Sequence, residues 1–386
     1  MKGLVLDAKW EPKADYAVSD WEKQTGKAIT GSSVWRYPKM EVKEWPDPKL
    51  GPTDVLVEVK ACGVCGSDIH FYETDEDDYI LYPGLTKFPT ITGHEFSGKV
   101  VEIGKDVTTL KAGDLVTAEE MVWCGFCTPC RNGFPNHCVN LEEIGFTIPG
   151  AFANYMAVPA KLCWKIDSIA EHFGSEELGY EVGALSEPTS VSYNALFERG
   201  GGFRPGHFFA VFGAGPIGLA AIGLAYAAGA GKIVAFEISD QRRDLAKKIG
   251  ADFVYDPRDV IPHEVLMEHS KGEGFDFMCE AAGVPGIVIP EMEKALAING
   301  KIVIIGRAAQ LVPMYLETLQ VRRGQVFGSQ GHSGHGNFPN VIRMVASGKL
   351  DLKPIITAWY SLEQTVEAIA KSGDRADGKI LVKPNQ

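Results

Sequence analysis

Four of the eight cysteines fall within one short segment of the chain. They are Cys124, Cys127, Cys130 and Cys138, separated by two, two and seven residues. Four thiolates at this spacing can surround a zinc ion with no open position, which is typical of a structural site. The segment is rich in glycine and proline and has little core of its own, so metal binding would stabilise its fold. An iron–sulfur cluster also uses four cysteines and remains the alternative.

A second set of metal-ligand residue types is spread along the first quarter of the chain. Cys65 opens the sequence Cys-Gly-Ser-Asp-Ile-His, and His94 and Glu95 follow Gly93. Taken singly, such a cysteine is more often a buried apolar side chain. A lone His-Glu pair is usually unremarkable. The residues alone therefore leave metal binding and simple burial both open.

A glycine-rich pattern, G-x-G-x-x-G, lies between an apolar run and a helical sequence. Its residues are Gly213, Gly215, Pro216, Ile217 and Gly218. This context is the one that dinucleotide binding requires. The glycines permit a tight turn, a close approach of the pyrophosphate and close packing of helix on strand, with the pyrophosphate at the helix N-terminus.

The choice between the two nicotinamide dinucleotides depends on Glu237, which ends the second apolar run. A carboxylate at this place binds the ribose hydroxyls and repels a ribose phosphate, which favours NAD over NADP. Arg242 is close enough in sequence to soften that preference.

The elements that position these residues differ between the two halves. Alternating segments at 55–60 and 98–104 predict short antiparallel strands. From about residue 190, apolar runs alternate with helical sequences, at 208–212, 232–236, 275–278 and 301–305. Such alternation predicts a doubly wound parallel sheet of the Rossmann type, so we expect an α/β protein.

Composition and charge exclude several classes of function. The 386 residues are too many for one ordinary core and predict two domains. The net charge of −12 argues against nucleic-acid binding. No run is apolar enough to span a bilayer, and Asp7 interrupts any signal-peptide core, so we expect a cytosolic protein. The acidic run 73–78 is interpreted as a solvated loop, with repulsion of anionic substrates as the alternative.

The order of the motifs resembles the zinc-dependent medium-chain dehydrogenase/reductase family, the alcohol dehydrogenase superfamily. Segment 93–98, Gly-His-Glu-Phe-Ser-Gly, followed by Gly-Lys-Asp-Val at 104–107, is similar to that family's signature. The Cys-Gly-Ser-Asp segment, the cysteine-rich segment, a Glu-Pro pair at 187–188 and the glycine-rich pattern follow in the family's order. The resemblance covers nearly the whole chain.

The resemblance implies two zinc ions, one structural and one catalytic. The catalytic ion would be held by Cys65, His94 and Glu95, with Glu187 either binding it or holding its water. Ser67 matches the hydroxyl that takes the proton of the substrate in this family. His70 matches the residue that passes this proton to solvent, with structural packing as the alternative.

The resemblance also implies the domain plan. Residues 1–190 would form a mainly β, GroES-like catalytic domain that contains the structural-zinc lobe 124–138. Residues 191–335 would form the NAD-binding domain, and 336–386 would return to the catalytic domain. The family further implies a homo-oligomer, either a dimer or a tetramer.

Several features of the sequence bear on the substrate. The Glu-Pro pair and the Cys-Gly-Ser-Asp-Ile-His segment resemble the polyol and threonine dehydrogenase branch. An extra N-terminal segment with Trp10, Trp21 and Trp35, and the Gly/His-rich segment 328–336, most resemble cyclitol enzymes of the scyllo-inosose dehydrogenase type. We predict oxidation of a secondary hydroxyl in a polyol or cyclitol, with 2,3-butanediol and L-threonine as alternatives. His332 is predicted to touch the bound ligand from a loop, with metal binding by this His-rich tract as the alternative.

Two other classes of protein remain open. One is a non-catalytic protein that binds zinc and NAD, and the other is a zinc-free quinone reductase. Both are disfavoured because the two sets of metal-ligand residues are complete.

Overall fold

The computed structural model describes residues 1–307 and 311–385. Its strands, numbered along the chain, are β1 (Lys2–Trp10), β2 (Trp35–Glu44), β3 (Asp54–Gly63), β4 (Thr90–Ile91), β5 (Glu95–Ile103), β6 (Leu115–Ala118), β7 (Met121–Val122), β8 (Glu142–Glu143), β9 (Tyr155–Pro159), β10 (Cys163–Lys165), β11 (Phe208–Phe212), β12 (Lys232–Phe236), β13 (Phe253–Tyr255), β14 (Phe275–Glu280), β15 (Leu296–Ile304), β16 (Gln325–Gly328), β17 (Ile356–Ser361) and β18 (Lys379–Lys383). Its α-helices are α1 (Asp20–Thr25), α2 (Gly66–Tyr72), α3 (Thr128–Arg131), α4 (Asp167–Phe173), α5 (Glu176–Ala184), α6 (Ser186–Tyr193), α7 (Pro216–Ala227), α8 (Asp240–Ile249), α9 (Pro262–His269), α10 (Pro285–Lys294), α11 (Leu316–Val321), α12 (Asn337–Ala346) and α13 (Thr365–Gly373). Within these two ranges, no helix combines the length and the apolarity that crossing a membrane requires.

The first of two compact units comprises residues 1–187, residues 358–374 and the chain from 379 onward. Its largest sheet has the order β10-β6-β5-β3-β18-β17, with β9 also pairing with β3. Strand β3 is antiparallel to β5, β9 and β18. Alternate β3 residues, Val55, Val57 and Val59, are fully buried in its core. The predicted antiparallel β-domain is confirmed.

The second unit comprises residues 188–357 and 375–378 and contains a six-stranded sheet. All its strand pairs are parallel, in the order β13-β12-β11-β14-β15-β16. This doubly wound order reverses direction between β11 and β14, where ligands bind in sheets of this type. The predicted runs 208–212 and 232–236 are β11 and β12 with those bounds. The predicted Rossmann sheet is confirmed.

The predicted return of the chain at residue 336 is wrong, because residues 336–357 stay in the second unit. Helix α12 is bound there by side-chain hydrogen bonds. The Asn337 amide donates to the His332 carbonyl oxygen at 2.9 Å, and the Asn340 amide donates to the Tyr193 hydroxyl at 3.1 Å. Residues 375–378 also belong to this unit, where Arg242 Nε donates to the Asp377 carbonyl oxygen at 2.8 Å.

Candidate functional site

Cys65 lies at the junction between strand β3 and helix α2, as the N-cap of that helix. The Asp68 carboxylate accepts the Cys65 N–H at 2.9 Å, and the Asp68 N–H donates to the Cys65 carbonyl oxygen at 3.1 Å. This reciprocal pair fixes the backbone that carries the thiol. Burial raises the pKa of Asp68 to about 6, against the opposing effect of nearby His94.

Three donor atoms of different chemistry converge on one point of the first unit. The Cys65 sulfur, a His94 ring nitrogen and a Glu95 carboxylate oxygen all lie within 4.8 Å of one another. Burial lowers the pKa of His94, but the charge of Cys65 and the nearby carboxylates outweigh burial and raise this pKa well above its ordinary value. A thiolate, an imidazole and a carboxylate are the donor types that zinc takes, so the residues fit the ion.

Glu187 is buried near the start of helix α6. Its negative charge contributes to the raised pKa of His94, so the two side chains are electrostatically close. Among the described residues, however, Glu187 does not lie within 4.8 Å of all three donors. Its role as a ligand, or as the residue that holds a zinc-bound water, stays a prediction.

Lys379 is a partner of the site that the sequence did not reveal. Its ammonium group is 1% exposed and donates to a Glu95 carboxylate oxygen and, at 2.9 Å, to the Val64 carbonyl oxygen. Burial lowers the pKa of Lys379, but the Glu95 and Cys65 charges outweigh burial and raise it. A lysine beside the apolar run 380–382 was the available signal, although Lys383 ends the same strand in the same way.

The Glu95 carboxylate explains why strand β3 ends in a glycine. Gly63 is the cross-strand partner of Glu95. A Cβ atom at Gly63 would lie 2.2 Å from the Glu95 Oε2 atom, a distance that excludes any side chain unless the carboxylate moves.

Ser67 and His70, the predicted proton relay, both lie on helix α2. The Ser67 hydroxyl oxygen is buried and has no hydrogen-bond partner within residues 1–307 and 311–385. A buried hydroxyl of this kind is suited to a bound substrate, because leaving it unmatched is costly. The His70 carbonyl oxygen accepts the N–H groups of Leu81 and Tyr82, which ties α2 to the following loop.

The cysteine-rich lobe forms a second convergent set. The sulfur atoms of all four cysteines lie within 4.8 Å of one another, as the spacing predicted; they belong to Cys124, Cys127, Cys130 and Cys138. Backbone N–H groups, chiefly that of Phe126, lower the pKa of Cys124 to about 6, whereas burial raises that of Cys130 to about 12. The set contains four thiols and no carboxylate. This composition fits a structural zinc site with no open coordination position.

The glycine-rich pattern forms the turn between strand β11 and helix α7. Gly213 has φ of 94°, and a Cβ atom there would lie 2.8 Å from the Ala282 backbone. Gly215 is the N-cap of α7, and Pro216 and Ile217 occupy its first turn. At Gly218 a Cβ atom would lie 1.9 Å from the Gly213 carbonyl oxygen, so only glycine fits.

Glu237 follows strand β12 and is anchored beside this turn. Its carboxylate oxygens accept the Ala214 N–H at 2.7 Å and the Ser239 N–H at 2.9 Å. The charge of Glu237 also acts on Arg242, whose pKa burial lowers. The structure therefore brings together the glycine-rich turn, Glu237 and Arg242, as the sequence predicted.

Glu280, at the end of strand β14, is a second residue that sequence reasoning missed. Its Oε1 atom accepts the N–H groups of Ala282 at 3.0 Å and Val284 at 3.2 Å. This carboxylate fixes the loop that faces Gly213. An acidic residue ending an apolar strand at the switch point was the available signal.

His332 belongs to the second unit and is fully buried, and its ring lies 5.2 Å from that of Phe338. The segment that contains it follows strand β16, as predicted for the loop. Whether His332 touches a bound ligand stays a prediction.

Comparison with known proteins identifies the family. Residues 51–168 match the model of the alcohol dehydrogenase GroES-like domain, and residues 216–347 match that of the zinc-binding dehydrogenases. Scyllo-inosose 3-dehydrogenase from Thermotoga maritima is 46% identical over 382 residues, 96% of each chain. L-threonine 3-dehydrogenase from Bacillus velezensis is 33% identical, covering 89% of this chain and 95% of its own. A solved alcohol dehydrogenase-like structure from Thermotoga maritima, 44% identical, superposes with a TM-score of 0.96 over 99% of this chain and 100% of its own.

The chain therefore belongs to the zinc-binding dehydrogenases of the alcohol dehydrogenase family. It is an oxidoreductase that acts on alcohols, in a family whose chemistry uses zinc and a nicotinamide nucleotide.

Proposed function

We propose that this enzyme oxidises a secondary hydroxyl group of a cyclitol to the ketone, with NAD as the hydride acceptor. The observation that carries the proposal is the 46% identity to a scyllo-inosose 3-dehydrogenase across nearly the whole of both chains. Linear polyols have the same vicinal hydroxyl groups and belong to the same substrate class. The 33% identity to an L-threonine 3-dehydrogenase favours threonine as the second candidate.

In the proposed mechanism, zinc would polarise the carbinol oxygen and NAD would accept the hydride. Cys65, His94 and Glu95 would hold the metal, with Glu187 beside them. Asp68 keeps the Cys65 backbone in place through its hydrogen bond to the N–H. The ammonium group of Lys379 holds one oxygen of Glu95 and balances its charge.

The proton of the hydroxyl group would leave through helix α2. The Ser67 hydroxyl oxygen would accept this proton as it passes its own hydrogen on, and the His70 imidazole would deliver a proton to solvent. An imidazole suits the second step because its ordinary pKa lies close to neutral pH. The buried, unmatched oxygen of Ser67 supports this route.

The preference for NAD follows from Glu237. Its carboxylate is held in place by two backbone N–H groups beside the glycine-rich turn. A fixed negative charge there would bind ribose hydroxyls and repel the additional phosphate of NADP.

We further propose one catalytic and one structural zinc per chain, and a homo-oligomer of two or four subunits.

The test measures formation of the reduced nicotinamide by absorbance with a panel of alcohols, using NAD and NADP in parallel. The panel contains inositol isomers, linear polyols, 2,3-butanediol and L-threonine. Scyllo-inosose is assayed both for oxidation of its secondary hydroxyl groups and for reduction of its ketone in the reverse direction. We expect the highest kcat/KM with a cyclitol and NAD. Highest turnover with threonine would assign the enzyme to the second candidate, and a preference for NADP would refute the role of Glu237.

A further inference from the structure

Glu120 is a buried carboxylate to which the proposed mechanism gives no role. It lies between strands β6 and β7 and is 7% exposed. One of its carboxylate oxygens and one of Glu187 lie within 4.8 Å of each other. Glu187 in turn acts electrostatically on His94, a proposed zinc ligand. Glu120 therefore belongs to the immediate surroundings of the proposed catalytic zinc site.

Glu120 is nevertheless not one of the proposed zinc ligands. Within residues 1–307 and 311–385, its carboxylate does not lie within 4.8 Å of all three catalytic donors, which are Cys65, His94 and Glu95. A catalytic zinc site takes three protein ligands and keeps a position open for water or substrate. Because the proposed set already supplies three ligands, a further carboxylate beside it is available to bind the substrate rather than the ion.

The backbone that carries the Glu120 side chain is fixed on both sides. The Glu119 N–H donates to the Leu162 carbonyl oxygen at 3.0 Å, and the Glu120 carbonyl oxygen accepts the Ile144 N–H at 3.0 Å. Strand β7, which follows directly, pairs with strand β8. Such a support suits a group that must hold a substrate in one orientation.

The neighbouring Glu119 shows a different use of a buried carboxylate. It is 4% exposed, and its two oxygens accept the indole N–H groups of Trp123 at 3.2 Å and Trp164 at 3.1 Å. Glu119 therefore binds donors of the protein itself. Glu120 lies instead beside a second carboxylate, that of Glu187, and the two together present acceptors to a donor-rich molecule bound there.

Hydroxyl groups are the donors that a polyol would bring to these acceptors. A cyclitol carries further hydroxyl groups next to the one that is oxidised, whereas a simple secondary alcohol carries none. A carboxylate has about four acceptor positions, so Glu120 can accept from a substrate hydroxyl while it keeps a partner within the protein.

We infer that Glu120 selects polyhydroxylated substrates, because its carboxylate accepts a hydrogen bond from a hydroxyl group next to the one that is oxidised. The inference rests on the proposed function and names a residue that sets its substrate class. A site that binds a substrate hydroxyl by a hydrogen bond strongly rejects an analogue without it, since the buried polar group then loses a partner.

The experiment compares kcat/KM for oxidation of scyllo-inosose with that of cyclohexanol, which has the same ring size and a single hydroxyl group. Glu120→Leu removes both carboxylate oxygens, and Glu120→Gln keeps one acceptor oxygen. Glu119→Gln is the matched control, because Glu119 is similarly buried but bound to two indoles. The zinc content of every variant is measured as well.

We expect Glu120→Leu to lower kcat/KM for scyllo-inosose by roughly 10- to 100-fold, the contribution of a hydrogen bond to a charged group. The loss should lie mainly in KM, because the bond is present in both the bound ground state and the transition state. The value for cyclohexanol should stay the same or rise. Glu120→Gln should lose less than Glu120→Leu, and Glu119→Gln should keep the preference of the unaltered enzyme.

Four results would overturn the inference. They are an unchanged preference for scyllo-inosose over cyclohexanol in Glu120→Leu, an equal change in Glu119→Gln, loss of zinc from the folded Glu120 variants, and failure of both Glu120 variants to fold. The third would assign Glu120 to the metal set, and the fourth to the core. Oxidation of L-threonine but not of scyllo-inosose by the unaltered enzyme would instead refute the proposed function itself.

Discussion

The pairing of Lys379 with Glu95 is the most consequential residue-scale feature that the structure adds. Both side chains are almost completely buried, at 1% and 2% exposure. A buried ion pair contributes little compared with apolar side chains, but removing one partner leaves an uncompensated charge in the core. We therefore interpret the pair as holding Glu95 at the proposed metal site rather than as a source of stability.

Lys379→Met should lower the free energy of unfolding by about 3–5 kcal/mol, because Glu95 would be buried without its partner. Chemical denaturation of the holoenzyme measures this. Lys99→Met is the control, since Lys99 and Glu176 form an exposed pair at 3.7 Å. Its loss should cost less than about 1 kcal/mol. Equal costs in the two variants would contradict the assigned importance of the buried pair.

Ser67→Ala should lower kcat by roughly 10²- to 10⁴-fold, because proton transfer by a positioned group contributes about that much. Zinc content and NAD affinity should stay unchanged. Steady-state kinetics and metal analysis measure both effects. Ser67→Thr keeps the hydroxyl and should retain most activity. A Ser67→Ala enzyme that keeps most of its kcat would show that the proton leaves by another route.

At the scale of elements, the apolar runs predicted the parallel strands closely. Strands β11 and β12 have the predicted bounds because a strand buried on both faces must be continuously apolar. The cysteine spacing and the G-x-G-x-x-G pattern were equally informative, because each is a local arrangement. Lys379 had only a weak sequence signal, because it reaches Glu95 from 284 positions away in sequence and the two meet only when the strands pair.

The glycine-rich turn provides an element-scale prediction. Gly213→Ala combines a positive φ with a close approach to the Ala282 backbone, so the loop must shift. We expect the affinity for NADH to fall by about 10-fold or more, a loss of roughly 1.4 kcal/mol in binding free energy. Fluorescence titration measures this affinity. Gly272→Ala is the control, because Gly272 also has a positive φ but nothing lies within 4 Å of its Cβ position.

The control should lose about 1–2 kcal/mol of stability from its left-handed backbone and keep its NADH affinity. Unchanged NADH binding in Gly213→Ala would contradict the assignment of this turn to the dinucleotide.

At the scale of the whole molecule, the class of protein was predictable but one boundary was not. The family resemblance predicted that the chain returns to the first domain at residue 336. Helix α12 nevertheless remains in the second unit. Amphipathic helices of this kind carry no sequence signal for the unit on which they pack. The side-chain amides of Asn337 and Asn340 bind the helix to that unit, and these bonds exist only in the folded chain.

The measurement that tests the central claim most directly is the number of zinc ions per chain, determined by native mass spectrometry alongside cyclitol-dependent NADH formation. Cys65→Ser removes a donor of the proposed catalytic set, and Cys163→Ser alters a cysteine outside both sets. We predict two zinc ions and full activity in the unaltered enzyme and in Cys163→Ser, but one zinc ion and no activity in Cys65→Ser. Undiminished turnover in Cys65→Ser would contradict zinc-dependent alcohol oxidation at this site.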